Sequence, residues 1–324
     1  MGVGVLAVVL AAAALASIAV GSRTVPPGDV VDALVGTAPT DGDLDVLIHN
    51  RVIRTALGLV VGLAIGAAGA LTQGHTRNPL ADPGLLGINA GAACAVVTGV
   101  FVFGFAGPLP NTAMALVGAG VAAAAVFGLS SVTGSSPATL VLAGAGLSAC
   151  LTAVSSALVL SDGATLQTWR YWNVGALAGR GDDILWATVP FVAVGLVLAF
   201  VSGRLLNVLA LGDAMTVALG GRVMLIRATG IVGITLLAGA ATAACGPIVF
   251  LGLVVPHVAR VVTGADYRWL VPYSAMLGAV LILVCDVAGR LISRPAELQV
   301  SVVLALLGGP ALIVMARRRT VASV

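Results

Sequence analysis

The sequence predicts an all-α integral membrane protein of about ten transmembrane helices, and three observations carry that prediction. Hydrophobic residues make up 59% of the chain and charged residues only 9%, with a mean hydropathy of +1.11. Soluble chains carry about 25% charged residues. The apolar residues also run in blocks of about 20, the length that crosses the hydrocarbon core of a bilayer. Finally, 42 glycines against 4% aromatics imply closely packed helices rather than a core of large side chains.

Each element follows in order. Residues 3–20 are apolar without a basic leading segment, which reads as a retained first span rather than a cleaved signal peptide. A polar segment with Asp29, Asp32, Asp41, Asp43 and Asp45 comes next. Further spans are predicted near 52–71, 85–106, 111–130, 138–160, 184–202, 228–246, 249–263, 270–290 and 298–315. The stretch 249–263 is short for a crossing and is expected to be a half-helix buried in protein. In the second span, Gly58, Gly62 and Gly66 at four-residue spacing invite the close approach of another helix backbone. Ten spans put both termini on one side, and Arg317-Arg318-Arg319 assigns that side to the cytoplasm. The chain 1–324 reads as a single transmembrane domain in a multi-pass cytoplasmic (inner) membrane protein.

Composition excludes several functions. All sixteen basic residues are arginine, so the chain lacks the lysine that a P-loop places on phosphates; any ATP it uses is bound by another subunit. A net charge of +3, widely scattered, does not suit nucleic acid. Cys94, Cys150, Cys245 and Cys285 stand singly in apolar runs, without metal or redox spacing. No metal or cofactor is expected on this chain, and no catalytic residues.

Arg204 to Arg227 is the longest charged interruption in the second half. Gly212 and Gly220-Gly221 divide it into two pieces of about two turns, too short to cross a membrane. Asp213 can cap the second piece and Gly220 can end it in the left-handed conformation. Locally, this is either a rigid knob at the cytoplasmic face or an ordinary interfacial linker. Two other stretches, 71–92 and 245–268, place Gly, Pro, one His and Arg at membrane depth, where irregular backbone survives only under protein cover or beside water.

In these stretches QGHTRNPLADPGLLGINAGA, LGDAMTVALGG, GPIVFLGLVVPHVARVVTGADYR, and DVAGRL followed by PAELQVSVVLALLGGP resemble successive signatures of the FecCD family. These are permeases of ABC importers for ferric siderophores, haem and vitamin B12. The resemblance runs from about Arg51 to Met315 and departs from the family near the end. Gln299 and Ser301 stand where Pro and Gly are usual, and Ala311-Leu312 where aromatics are common.

The resemblance implies a vitamin B12 importer-type permease bundle (type II ABC importer), with coupling helices at about 204–227. It further implies a second permease chain (identical or paralogous), two cytoplasmic ABC ATPase subunits that bind ATP and Mg, and an extracytoplasmic substrate-binding protein. Lipid surrounds the assembly. Leu211, Gly212, Asp213, Ala218, Leu219 and Gly220 are the implied ATPase contacts. Arg51, Arg54 and Arg290 are the implied docking arginines for acidic groups of the binding protein. Arg51 and Arg54, three apart at the outer start of the second helix, oppose its macrodipole, a cost that an anionic partner offsets. For Arg290 an intrahelical pair with Asp286 is the alternative. Ser135 and Ser136 fall in the region of the cytoplasmic gate. Trp169 and Trp172, which with Trp186 suggest an aromatic cluster, fall in that of the outer gate or an interfacial belt. His75 and His257 lack a second ligand at helical spacing and are expected to make structural hydrogen bonds; His49 is expected to be solvated.

The function implied is a ferric-siderophore importer permease, with vitamin B12 or haem as the alternative cargo. A proton-coupled secondary transporter would call for mid-membrane charge relays. The sequence offers only Asp286 near a helix end and a single glutamate, Glu297.

Overall fold

The computed structural model describes residues 2–35, 42–132 and 137–317. Each of the ten predicted spans contains one helix: α1 (Val3–Ala19), α3 (Gly42–Thr76), α4 (Ile88–Phe103), α5 (Pro108–Val132), α6 (Pro137–Ser161), α8 (Asp182–Leu209), α10 (Val223–Cys245), α11 (Leu251–Thr263), α12 (Tyr267–Ile292) and α13 (Val300–Arg317). Three more helices lie between them: α2 (Pro27–Val35), α7 (Gly163–Asn173) and α9 (Asp213–Ala218). Among the described residues, six helices (in α3, α5, α6, α8, α10 and α12) are long and apolar enough to cross a membrane. α1, α4, α11 and the described part of α13 are shorter. At 1.5 Å per residue the 13-residue α11 extends only about 20 Å, too short for a crossing as expected. Its first half is buried, but Val258, Val261 and Val262 are exposed, so it is not covered by this chain along its whole length.

Local chemistry sets the boundaries. Asp162 caps α7 by accepting from the Thr165 amide at 2.7 Å, and Asp266 caps α12 by accepting from the Arg268 amide at 2.9 Å. Gly104, with φ 67°, closes α4 in the left-handed region. Buried hydroxyls within the spans bond back along their own helices, Thr72 to the Ala68 carbonyl at 2.8 Å and Thr188 to that of Ile184 at 2.7 Å.

α3 is the axis of the bundle, packed against α8, α10, α11 and α12. Water does not drive helices together inside a bilayer, so backbone approach and dispersion must. The predicted glycine row does this. A Cβ at Gly62 would sit 2.5 Å from Ala279 Cα, and one at Gly66 2.1 Å from the Ser274 carbonyl oxygen, both on α12. Because the obstacles are backbone atoms, no rotamer change relieves them. Gly66→Val is therefore expected to cost more than the ~1–3 kcal/mol typical of overpacking. The purified variant should lose its monodisperse elution or melt well below the parent; an unchanged melting midpoint would contradict this packing.

Two boundaries differ from expectation. α3 begins about ten residues before the predicted span, so Arg51 and Arg54 lie beyond its first turn, where the macrodipole no longer opposes them. α8 runs on through Arg204 to Leu209, because Leu205, Leu206, Val208 and Leu209 continue its apolar pattern. The first of the two predicted short pieces is thus the end of α8, and only α9 stands alone.

Candidate functional site

Chemistry-bearing side chains gather at opposite ends of α3. At its C-terminal end lies α9, six residues long. Its cap is Gly212, at φ 103°, and not Asp213 as expected; the Asp213 carboxylate is engaged elsewhere. Oδ1 accepts from Arg77 at 2.6 Å, just past α3, and Oδ2 from Arg227 of α10 at 2.8 Å. Arg77 also donates to the Leu209 carbonyl at 2.8 Å, so α9 is tied to α3, α8 and α10 together. The exit from α9 follows the prediction. Gly220 adopts φ 79°, the Gly220 amide donates to Val217 O at 2.9 Å, and the Gly221 amide to Thr216 O at 2.8 Å. This is the paired bonding of a Schellman motif. Thr216 is buried and donates to the Val208 and Gly212 carbonyls. Leu211, Met215, Val217 and Leu219 stay exposed, an apolar tip on a clamped base. Met215 and Val217, which the sequence reading does not single out, share this exposed face.

Beside this end, Asn207 donates to Asp266 at 2.6 Å and accepts from the Tyr267 amide at 2.9 Å. The Asn207 amide, and after it the Arg268 amide, hold the Asp266 carboxyl below its ordinary value. A depressed carboxyl pKa adds stability that is present above the unfolded-state value and lost as pH falls through the folded one. The clip between α8 and α12 is expected to loosen only in acid.

At the opposite end, Arg51, Arg54 and Arg290 converge from α3 and α12, and none projects as a free cation. Arg290 is 1% exposed. It pairs with Asp286 at 2.6 Å, one turn away, and donates to Ser17 O at 2.8 Å and Val20 O at 2.9 Å. Arg51, 7% exposed, donates to the Ile18, Ala19 and Arg23 carbonyls. Together they satisfy carbonyls left open at the end of α1. Arg54 forms a bidentate pair with Asp286, the shorter bond 2.7 Å, and a second pair with Glu297 at 2.6 Å. The intrahelical Asp286–Arg290 pair, the alternative read from the sequence, is present, and Arg54 shares its carboxylate. Glu297 also accepts from Ser22 at 2.9 Å. Burial would raise the Glu297 carboxyl, but its bond to Arg54 and the charge there leave it below its ordinary value.

Two adjoining cavities open at this end, of about 400 and 570 Å³, both lined by Arg54, Leu177, Arg180 and Glu297. The smaller also takes in Asn111, Trp172 and Gln299; the larger Arg23, Arg51 and Arg290. A third cavity of about 540 Å³ lies between α4, α6 and α7. There Ser148, Thr152, Ser155 and Ser156 line one face of α6 opposite Asn89, Asn173 and Trp169.

The tryptophans do not form the expected cluster. Trp172 is buried against the first cavity, Trp169 borders the third, and Trp186 lies exposed on α8. His75 is buried, finds no hydrogen-bond partner among the described residues and packs against Gly230 of α10, where a Cβ would meet its Nε2 at 1.6 Å. Its role is steric rather than the expected hydrogen bond. His49 and His257 are exposed. Among the described residues, no group of three His, Cys, Asp or Glu side chains could hold a metal ion. Ser135, Ser136, Arg318 and Arg319 lie outside the described residues.

A clamped apolar tip at one end and a charged, cavity-bearing mouth at the other suit a transport subunit, and known proteins agree. The family model described as "FecCD transport family" matches residues 9–318. The chain is 41% identical to the ferric enterobactin transport system permease protein FepD of Escherichia coli (strain K12), over 98% of this chain and 95% of that one. It is 34% identical to the iron(3+)-hydroxamate import system permease protein FhuB of Bacillus subtilis (strain 168), covering 94% of this chain and 80% of that one. A solved metal-chelate type ABC transporter in an inward-facing conformation superposes with a TM-score of 0.84 at 25% identity, covering 97% of each chain. With the family model and relatives of this similarity spanning nearly its whole length, the chain belongs to the FecCD transport family.

Proposed function

We propose that this chain is the permease subunit of an ATP-driven importer for ferric siderophores. The observation that carries this reading is the near full-length similarity to a ferric enterobactin permease. The chain has no lysine for a P-loop, so ATP and Mg act on two partner ATPases at the cytoplasmic face. A second permease, identical or paralogous, completes the path, and an external binding protein delivers the chelate. Both termini lie in the cytoplasm.

In this reading the exposed tip of α9, with Leu211, Met215, Val217, Ala218 and Leu219, seats in the ATPase. Gly212 and Gly220 shape its turns, while Asp213 fixes its position. Motion of α9 passes through Asp213 to Arg77 and Arg227. α3, with 35 residues and a length of about 52 Å, then links the ATPase side to the external mouth. At that mouth Arg54 and Glu297, whose side chains are 14% and 30% exposed, meet the binding protein. Arg51 and Arg290 support them by holding α1 in place. Trp169 and Trp172 flank the outer gate, and the hydroxyl face of α6 offers an uncharged polar surface to passing cargo.

Native mass spectrometry of the complex, purified in mild detergent from its own membranes, tests the assembly. Two permeases with two ATPase subunits are expected, and the permease masses will separate homodimer from heterodimer. A chain found repeatedly alone, or as a dimer without ATPase, would favour a secondary transporter.

A further inference from the structure

Three residues that line the cavity of about 400 Å³ at the external mouth each carry a buried polar atom that finds no hydrogen-bond partner among the described residues: Asn111 Oδ1, Trp172 Nε1 and Arg180 Nε. They come from three separate elements. Asn111 is in the first turn of α5, Trp172 near the end of α7, and Arg180 in the connection leading into α8. Asn111 is 7% and Trp172 3% exposed, while Arg180 is half-buried with its Nε covered. A buried donor or acceptor without a partner costs about 1–3 kcal/mol, and three such groups meeting in one cavity point to a ligand that supplies the partners.

The wall that carries them is rigid. Trp172 and the following connection rest on the end of α10, where the Ala176 amide donates to Cys245 O at 2.8 Å. A Cβ at Gly246 would meet the Trp172 carbonyl oxygen at 2.1 Å. On the other side the Ser301 hydroxyl donates to the Val174 carbonyl, joining the connection to α13. The neighbouring Gln299 lines the same cavity. Both residues depart from the family pattern read in the sequence.

Charge decides the ligand class. Arg54 is already neutralised by Asp286 and Glu297. Arg180 makes no ion pair or hydrogen bond with any described residue, which leaves a guanidinium facing the cavity beside an indole N–H donor. Such a fork prefers anionic oxygens.

Building on the siderophore reading above, we infer that Arg180, Trp172 and Asn111 form a cargo subsite selective for anionic, oxygen-rich ferric chelates. Arg180 and the Trp172 indole donate to catecholate or carboxylate oxygens at the chelate's rim, and Asn111 pairs with its amide or hydroxyl groups.

The test uses the complete permease–ATPase complex in nanodiscs, without binding protein. Equilibrium dialysis with two radioiron probes, a trianionic ferric tricatecholate and a neutral ferric trihydroxamate, gives the dissociation constants. Arg180→Ala is expected to weaken tricatecholate binding by about tenfold or more and trihydroxamate binding by less than about threefold. Trp172→Phe, which keeps the ring and removes the donor, is expected to weaken the tricatecholate about three- to tenfold. Arg180→Lys should retain part of the preference for the anion. Equal losses for both probes, or none, would overturn the subsite. So would loss of permease pairing in the variants, since the second permease would then be the partner of these groups. ATP-driven uptake of a ferric chelate by the wild-type complex tests the importer reading separately. Uptake with an indifferent Arg180 sinks the subsite alone; no uptake of any ferric chelate sinks the importer reading.

Discussion

Asp286→Ala is expected to be the most destabilising single substitution at the end of the bundle where Arg51, Arg54 and Arg290 converge. Asp286 is 1% exposed and neutralises two arginines at once, Arg54 from α3 and Arg290 from its own helix. Removing one partner of a buried pair typically costs about 3–5 kcal/mol, because the other charge stays desolvated. Here two cations lose their counter-ion, and Glu297, 30% exposed, pairs directly with Arg54 and leaves Arg290 without a contact partner of opposite charge. The loss should spread to α1, whose last carbonyls are held by Arg290 and Arg51. A thermal melt of the purified variant should show the midpoint falling by many degrees, or no folded protein. Asp286→Glu should recover part of it. An Ala variant as stable as the parent would mean that solvent or lipid headgroups, rather than Asp286, balance these arginines.

Asp213→Ala should cost less stability than Asp286→Ala but cause a large loss of transport. Its side chain is 47% exposed, so the pair with Arg77, itself 33% exposed, is worth only about 0.2–1 kcal/mol. The Arg227 side chain is 5% exposed, and leaving it unpaired costs somewhat more. The Thr216 bonds and the Gly220 turn survive, so α9 should still form. What disappears is its tie to α3 and α10. A coupling loss of about 1.4 kcal/mol is tenfold in an equilibrium, and we expect ATP-driven uptake to fall by about that factor or more while ATP hydrolysis continues. Uptake and hydrolysis falling in proportion would mean that Asp213 serves assembly and not transmission.

Much of this fold was legible because a bilayer imposes a length and a polarity on each span. The glycine row of α3 was legible too, since a four-residue spacing needs no knowledge of the partner helix. What escaped depends on contacts between distant residues. The Asp213–Arg77 pair spans 136 positions and the Arg54–Asp286 pair 232, so Asp213 read as a cap and Arg54 as a free cation. Only the Asp286–Arg290 pair, one turn apart, could be foreseen as an alternative. The charge of Arg204 marked a membrane boundary but not a helix end, because the apolar pattern of α8 continues past it. The cavity of Asn111, Trp172 and Arg180 draws on two helices and a connection that are separate along the chain, and only the folded bundle brings them to one wall.

The central claim, that this permease moves a ferric chelate with ATP supplied by partner subunits, is tested most directly in sealed proteoliposomes. The complex and its binding protein would be reconstituted with ATP on the ATPase side and a protonophore present. Uptake of a radioiron-labelled siderophore is expected to depend on ATP and to be indifferent to collapse of the proton gradient. Uptake that vanishes with the gradient while ATP is maintained would contradict the account and identify a proton-coupled transporter.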